Sequence, residues 1–242
     1  MQSGAGFPSF NLCMQQLVLD IGLPTGPTLD NFFTGANTAV LAHLRQQVLS
    51  PARAGVPTYL WGESASGKSH LLQAVRSDLL RRDGLAVGWM DASQLQPPAF
   101  QEDWDVVILD DVHLYGPEQQ QAAFNWFVNA LSPMAGAPRW VLAAGDLPPA
   151  DLPLRDDLRS RLGWGLVFQL RALEEADRRA VLRHTADARG LFLGDEVMDF
   201  MLNRFSRDLG SLMQLLDQLD GYALETRRAI TIPLIKSMLE NR

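Results

Sequence analysis

The run Gly62-Glu63-Ser64-Ala65-Ser66-Gly67-Lys68-Ser69 carries two glycines with four residues between them, then a lysine and a hydroxyl. That spacing, G-x-x-x-x-G-K-[ST], suits a chain of phosphates. The glycines let the backbone wrap with its N–H groups turned inward, the amine reaches the β- and γ-phosphate oxygens, and the hydroxyl holds Mg2+. Lys68 and Ser69 fill the last two roles, and a helix opening here points the positive end of its dipole at the same anion. Further along, Asp110-Asp111 closes the continuous apolar run Val106-Val107-Ile108-Leu109. Two carboxylates at the end of a buried strand can divide the remaining work: Asp110 binds Mg2+ through water, and Asp111 orients or deprotonates a water. Acids at strand ends are also common as solvated turns, so this pair draws its meaning from the glycine loop.

Such a loop works only if a strand leads into it and a helix leads out. Thr58–Trp61 reads as that strand and Lys68 to about Arg82 as that helix. Leu85–Trp89, Val106–Leu109, Trp140–Ala144 and Trp164–Leu170 read as four more strands. A helix is predicted over Glu118–Leu131, with Phe124, Phe127 and Leu131 on one stripe. Strand–helix alternation predicts an α/β fold with a five-stranded parallel sheet and helices on both faces. Beyond Leu170 only helical patterns follow: Leu173–Ala188 ending at Gly190, Asp195–Phe205, Asp208–Arg227, and a fourth opened by Thr231-Ile232-Pro233. The expected organisation is a flexible N-terminal arm over 1–25, a nucleotide-binding domain over 26–170, and a small all-helical domain over 171–242.

Composition limits the remaining classes. The net charge of -7 argues against holding nucleic acid by bulk electrostatics, which needs clustered Lys and Arg. The single cysteine, Cys13, rules out an intrachain disulfide and fits a reducing cytoplasm. No apolar window is long enough to span a membrane, and the start lacks the basic-then-apolar order of a secretory signal; Met14 is an alternative start. The 4 histidines show no ligand spacing, so no zinc site is predicted, and His113 and His70 read as ordinary loop or helix residues. The 6 tryptophans read as core or interface residues, not a platform for bases.

With these residues in place, the chain resembles the DnaA-related branch of the AAA+ P-loop NTPases, and within it the Hda group, the regulatory inactivators of DnaA. The resemblance runs from about Gln16 to the C-terminus. Leu29-Asp30-Asn31-Phe32 with Gly35 is similar to the family's lead-in segment, which lines the adenine pocket. Leu60 to Leu72, with the nucleotide-contacting stretch Gly62 to His70, resembles its phosphate loop and helix. Leu109-Asp110-Asp111 resembles its Walker B, and Ala144-Gly145-Asp146 its sensor 1. Leu158-Arg159-Ser160-Arg161-Leu162 is similar to the box VII segment that carries an arginine finger, and Arg207-Asp208-Leu209 to the sensor 2 start of a lid helix. Leu216 to Asp220 and Leu224 to Ile232 follow the Hda pattern in the lid.

The resemblance implies ADP or ATP with Mg2+ as cofactor, a cytoplasmic regulator of DNA replication initiation, and DnaA as a partner whose ATP hydrolysis Arg161 promotes in trans. For Arg161 the plainer alternative is ion pairing with Asp156 or Asp157; for Arg207, a solvent-facing charge at a helix start. Asp146 could position water or cap the next segment. Gln16-Leu17-Val18-Leu19-Asp20-Ile21 looks like a peptide for the DNA polymerase III sliding clamp, with Gln16 as polar anchor and Leu17, Leu19 and Ile21 as apolar ones. Asp20 departs from the Pro usual there, and the segment could instead pack on its own domain. No helix-turn-helix is seen, so no direct specific DNA binding is expected; a homo-oligomer is possible. The intact loop leaves hydrolysis of its own ATP open. The rival readings are an independent AAA+ ATPase such as a helicase loader, a P-loop small-molecule kinase, and a DNA-binding module.

Overall fold

The computed structural model describes residues 26–51, 53, 55–81, 84–204, 209–226 and 229–240. Five strands, β1 (Thr58–Trp61), β2 (Val87–Met90), β3 (Val106–Leu109), β4 (Trp140–Gly145) and β5 (Leu166–Gln169), pair in parallel in the order β2-β3-β4-β1-β5. The unbroken apolar run of β3 has a direct structural reason. Side chains alternate between faces, and both faces are covered. Val106 and Ile108 pack into one apolar cluster, Val107 and Leu109 into the other.

Helices α1 (Thr38–Leu49) and α2 (Lys68–Leu80) cover the first face through Val40, Leu41, Leu44, Leu71, Leu72 and Val75. Helices α3 (Pro117–Leu131) and α4 (Asp156–Leu162) cover the second through Ala123, Trp126, Phe127, Leu158 and Leu162. A separate apolar cluster joins α5 (Glu175–Ala188), α6 (Asp195–Arg204), α7 (Leu209–Thr226) and α8 (Ile232–Glu240), with Leu182, Met198, Met201, Leu216, Leu219 and Ile235 buried in it. This is the α/β sheet followed by a helical lid.

The structure differs from the sequence reading in several places, among them β2, which starts two residues later than expected and ends at Met90. Helices α1 and α4 were not foreseen. In α1 the signal was present, because Val40, Leu41, Leu44 and Val48 recur at helical spacing and are all buried. In α4, a helix of 7 residues with only Leu158 and Leu162 buried, it was too short to stand out. The buried stripe of α3 is Gln119, Ala123, Trp126, Phe127 and Ala130, so Phe124 lies off it. Finally, β5 is shorter than Trp164–Leu170 and lies at the sheet edge, with Leu166 and Val167 partly exposed.

Pairing of β5 with β1 needs a residue without a side chain at its start. A Cβ on Gly165 would lie 1.9 Å from the Pro57 carbonyl oxygen, the same oxygen to which the Leu166 N–H donates at 2.8 Å. Gly165→Ala must therefore push β5 away from the strand that feeds the phosphate loop. The expected cost is about 1–3 kcal/mol, read as a lower midpoint in thermal unfolding; an unchanged midpoint would refute this close approach.

Candidate nucleotide site

The loop Gly62–Gly67 leaves the end of β1 and turns straight into α2. Gly67 caps that helix at φ +95°, a left-handed conformation, and a Cβ there would meet the Phe32 ring at 2.7 Å. Both facts require glycine. The same holds at Gly62, where a Cβ would come within 2.2 Å of the Leu170 carbonyl oxygen.

Lys68, at the first turn of α2, is only 5% exposed. Its ammonium donates to the carbonyls of Gly62 (2.8 Å) and Glu63 (2.9 Å) and pairs with Asp146 at 2.8 Å. Beside it the Ser66 hydroxyl is buried without a hydrogen-bond partner among the described residues. A buried, unpaired hydroxyl is costly. Together with the buried ammonium and the helix N-terminus, it fits a phosphate chain, which supplies acceptors for exactly such donors.

The acids approach from the other side. Asp110 follows β3, is 4% exposed, and accepts hydrogen bonds from the Asp111 N–H at 3.0 Å and from the Ser69 side chain. Burial, and secondarily the charge of Asp111, push its carboxyl up to about 6; Ser69, the Asp111 N–H and Lys68 act in the opposite direction. Ser69 and Asp110 thus stand together as two oxygen ligands suited to Mg2+, which would favour the ionised carboxylate. Asp111 takes a left-handed conformation (φ 51°) as the chain enters a short 3-10 turn, Val112–Leu114.

β3 is not the immediate neighbour of β1. β4 lies between them, and Asp146 follows the end of β4 at Gly145. The carboxyl ends of three adjacent strands therefore bring Lys68, Asp146 and Asp110 to one edge of the sheet, where ligands bind in open α/β folds. His113, read from the sequence as an ordinary loop residue, grips Asp146 from two sides. The Asp146 N–H donates to His113 Nδ1 at 3.3 Å, and His113 Nε2 lies 3.3 Å from Asp146 Oδ2. A neutral imidazole with its proton on Nε2 satisfies both contacts. Asp111 is close as well, with one ligand atom from each of Asp111, His113 and Asp146 within 4.8 Å of one another. The segment is held further by Tyr59, whose hydroxyl donates to the Leu147 carbonyl at 2.7 Å. No spacing in the sequence connects His113 to Asp146; only adjacency of β3 and β4 does.

The lead-in segment folds over the start of α2. Thr28 and Asn31 exchange backbone-to-side-chain hydrogen bonds at 2.9 and 3.0 Å. His70 Nε2 lies 3.1 Å from the Thr28 carbonyl, and its ring contacts Phe32. His70 thus tethers this segment, and its burial lowers its pKa. Asn37 joins the segment to the start of the lid connection: its amide donates to the Arg171 carbonyl at 3.0 Å, and its oxygen accepts from the Arg171 N–H at 2.9 Å.

Arg161 lies on α4. Asp156 is paired with Arg159 and Asp157 with Arg155, so ion pairing with those acids, the plainer alternative, is not what Arg161 does. Its guanidinium instead lies over the rings of Phe124 (4.9 Å) and Trp164 (4.8 Å). Arg207 and the peptide residues Gln16, Leu17, Leu19 and Ile21 lie outside the described residues.

A phosphate loop after β1, paired acids after β3, a polar residue at the end of the intervening β4, and a helical lid behind the sheet define a P-loop NTPase of the AAA+ class. Comparison with known proteins narrows this. A family model described as "Hda, lid domain" matches residues 175–239. Domain III of the replication initiation protein DnaA from Thermotoga maritima superposes with a TM-score of 0.71 at 20% identity, covering 91% of this chain and 98% of that one. AMPPCP-bound DnaA from Aquifex aeolicus gives 0.63 at 23% identity, covering 82% of this chain and 66% of that one. The Holliday junction branch migration motor RuvB of Thermotoga maritima gives 0.58 at 13%, covering 88% and 71%. The chain thus has the AAA+ fold seen in DnaA and RuvB, and its lid, over residues 175–239, matches the Hda lid model.

The raised Asp110 carboxyl has a sign that can be checked. A carboxyl titrating at about 6 in the fold and near 3.8 when unfolded binds its proton more tightly in the native state, so its contribution to stability is full below about 4 and is lost as pH rises through about 6. Asp110→Asn, which carries no charge to desolvate, should raise the melting temperature of nucleotide-free protein at pH 7. That gain should shrink towards pH 4. A variant less stable than wild type at pH 7 would contradict the assignment.

Proposed function

We propose that this chain is an adenine-nucleotide-binding regulator of replication initiation that lends Arg161 to ATP held by DnaA and so promotes its hydrolysis. The observation that carries the reading is the state of Arg161: charged, without a carboxylate partner among the described residues, and held by rings beside two arginines that are paired. The match of the lid to the Hda model supports the same direction.

In the reaction, water adds to the γ-phosphorus of the ATP on DnaA, the bond to the β–γ bridging oxygen breaks, and ADP and inorganic phosphate leave. Negative charge on the phosphoryl oxygens must be stabilised during this step, and a guanidinium placed across a subunit contact does so. The chain's own pocket has a different task. Lys68, the Ser66 hydroxyl and the loop amides hold the phosphates of ADP or ATP, while Ser69 and Asp110 hold Mg2+, which supplies charge neutralisation when bound. His113 keeps Asp146 in place against Lys68, and bound nucleotide orders the lead-in segment and lid around it. The peptide Gln16-Leu17-Val18-Leu19-Asp20-Ile21 tethers the protein to the sliding clamp, which raises its concentration near DnaA on DNA.

The acids beside an intact loop also suit an independent ATPase, and one assay separates the two. DnaA loaded with labelled ATP is mixed with clamp on DNA and with this protein. Wild type should accelerate hydrolysis strongly, and Arg161→Ala should lose the effect by about three orders of magnitude, the low end for arginine fingers. Protein without DnaA should turn over ATP slowly. Fast turnover alone, abolished by Asp111→Ala, together with no effect on DnaA-bound ATP, would favour the independent ATPase. A Gln16→Ala, Leu19→Ala double variant should fail to be retained by clamp in a pulldown.

A further inference from the structure

The geometry points to Phe124 and Trp164 as positioning residues that hold the guanidinium of Arg161 between two aromatic faces. The inference rests on the finger role of Arg161 proposed above.

Neither ring has another evident task. Phe124 lies off the buried stripe of α3, on the side that meets α4, and does not belong to the cluster that packs the sheet. Trp164 is 62% exposed. A tryptophan so placed adds little to a core. Its backbone N–H donates to the Arg161 carbonyl at 3.1 Å, which folds the chain after α4 back on itself and brings the indole over Arg161 at 4.8 Å; Phe124 lies at 4.9 Å. Arg155 also lies over Phe124, at 5.6 Å, but its guanidinium is committed to Gln121 and Asp157.

The chemical logic lies in how a cation can be held. A carboxylate would occupy the N–H edges of the guanidinium and set a negative charge beside an incoming phosphate. Aromatic rings attract the cation through its faces, and so leave the five N–H donors free for phosphate oxygens. The long side chain is thereby fixed before the partner arrives, and less freedom is lost on contact. Asp156 and Asp157, the acids nearest in sequence, are each bound to another arginine.

The test uses the full-length protein, ATP-loaded DnaA and clamp on DNA. Trp164→Ala should lower the maximal rate of stimulated hydrolysis by about tenfold, while the directly measured Kd for ATP-loaded DnaA stays within about twofold. Trp164→Phe, which keeps a ring, should recover most of the rate. In the protein alone, the ring-current shift of the Arg161 side-chain protons should be present in wild type, lost in Trp164→Ala and kept in Trp164→Phe; this needs no partner. The inference is overturned if that shift is absent from wild type, if Trp164→Ala keeps the full maximal rate, or if weaker binding accounts for the whole loss, which would make the rings a docking contact. If Arg161→Ala itself leaves hydrolysis unchanged, the proposed function fails and this inference with it. A shift present in wild type while only the Trp164 arm is silent refutes the positioning role alone.

Discussion

An ammonium buried at the end of a parallel sheet must be answered by other groups, and at Lys68 the answer organises the site. Its three contacts, the carbonyls of Gly62 and Glu63 and the carboxylate of Asp146, come from the loop after β1 and from the end of β4. Each must be in place for the charge to be tolerated at 5% exposure. Asp146 is in turn fixed by His113 and by the Tyr59 bond to Leu147. The order β3-β4-β1 is therefore part of the site's geometry, because it sets the Asp146 carboxylate between the lysine and the acids of β3.

The same economy of charge appears twice on the molecule. At the loop, lysine and carboxylate neutralise each other beside an unpaired buried hydroxyl, an arrangement in which phosphate oxygens can take over the partners of the donors. On α4, acids are paired with Arg155 and Arg159, and Arg161 is held by rings. In the proposed reading, one basic group is kept for a phosphate in the chain's own pocket and the other for a phosphate in a neighbour's.

How much of this was legible beforehand depended on whether the signal was local. The glycine loop between β1 and α2, the limits of β1 and β3, and the helical character of the lid follow from spacing and periodicity within short windows, and β1 and β3 appear at the residues expected. The acids at Asp110 and Asp111 were marked by the apolar run before them. What escaped is non-local. His113 acquires its role from a strand adjacency, and Phe124 from a helix face that is set by what α3 packs against, since Trp126 and Phe127 fill the core and turn Phe124 towards α4. α4 carries too few buried residues to show a period, and β5 lost its buried pattern because a sheet edge exposes it.

The central claim is that this loop holds phosphate through Lys68, and calorimetric titration with ADP or ATP in the presence of Mg2+ tests it most directly. Wild type should bind with one site per chain, and Lys68→Ala, which removes the ammonium and leaves the rest of the loop, should weaken binding by about a hundredfold, as expected for loss of a buried charge-assisted contact. No heat of binding with wild type, or equal affinity in the two proteins, would contradict the account.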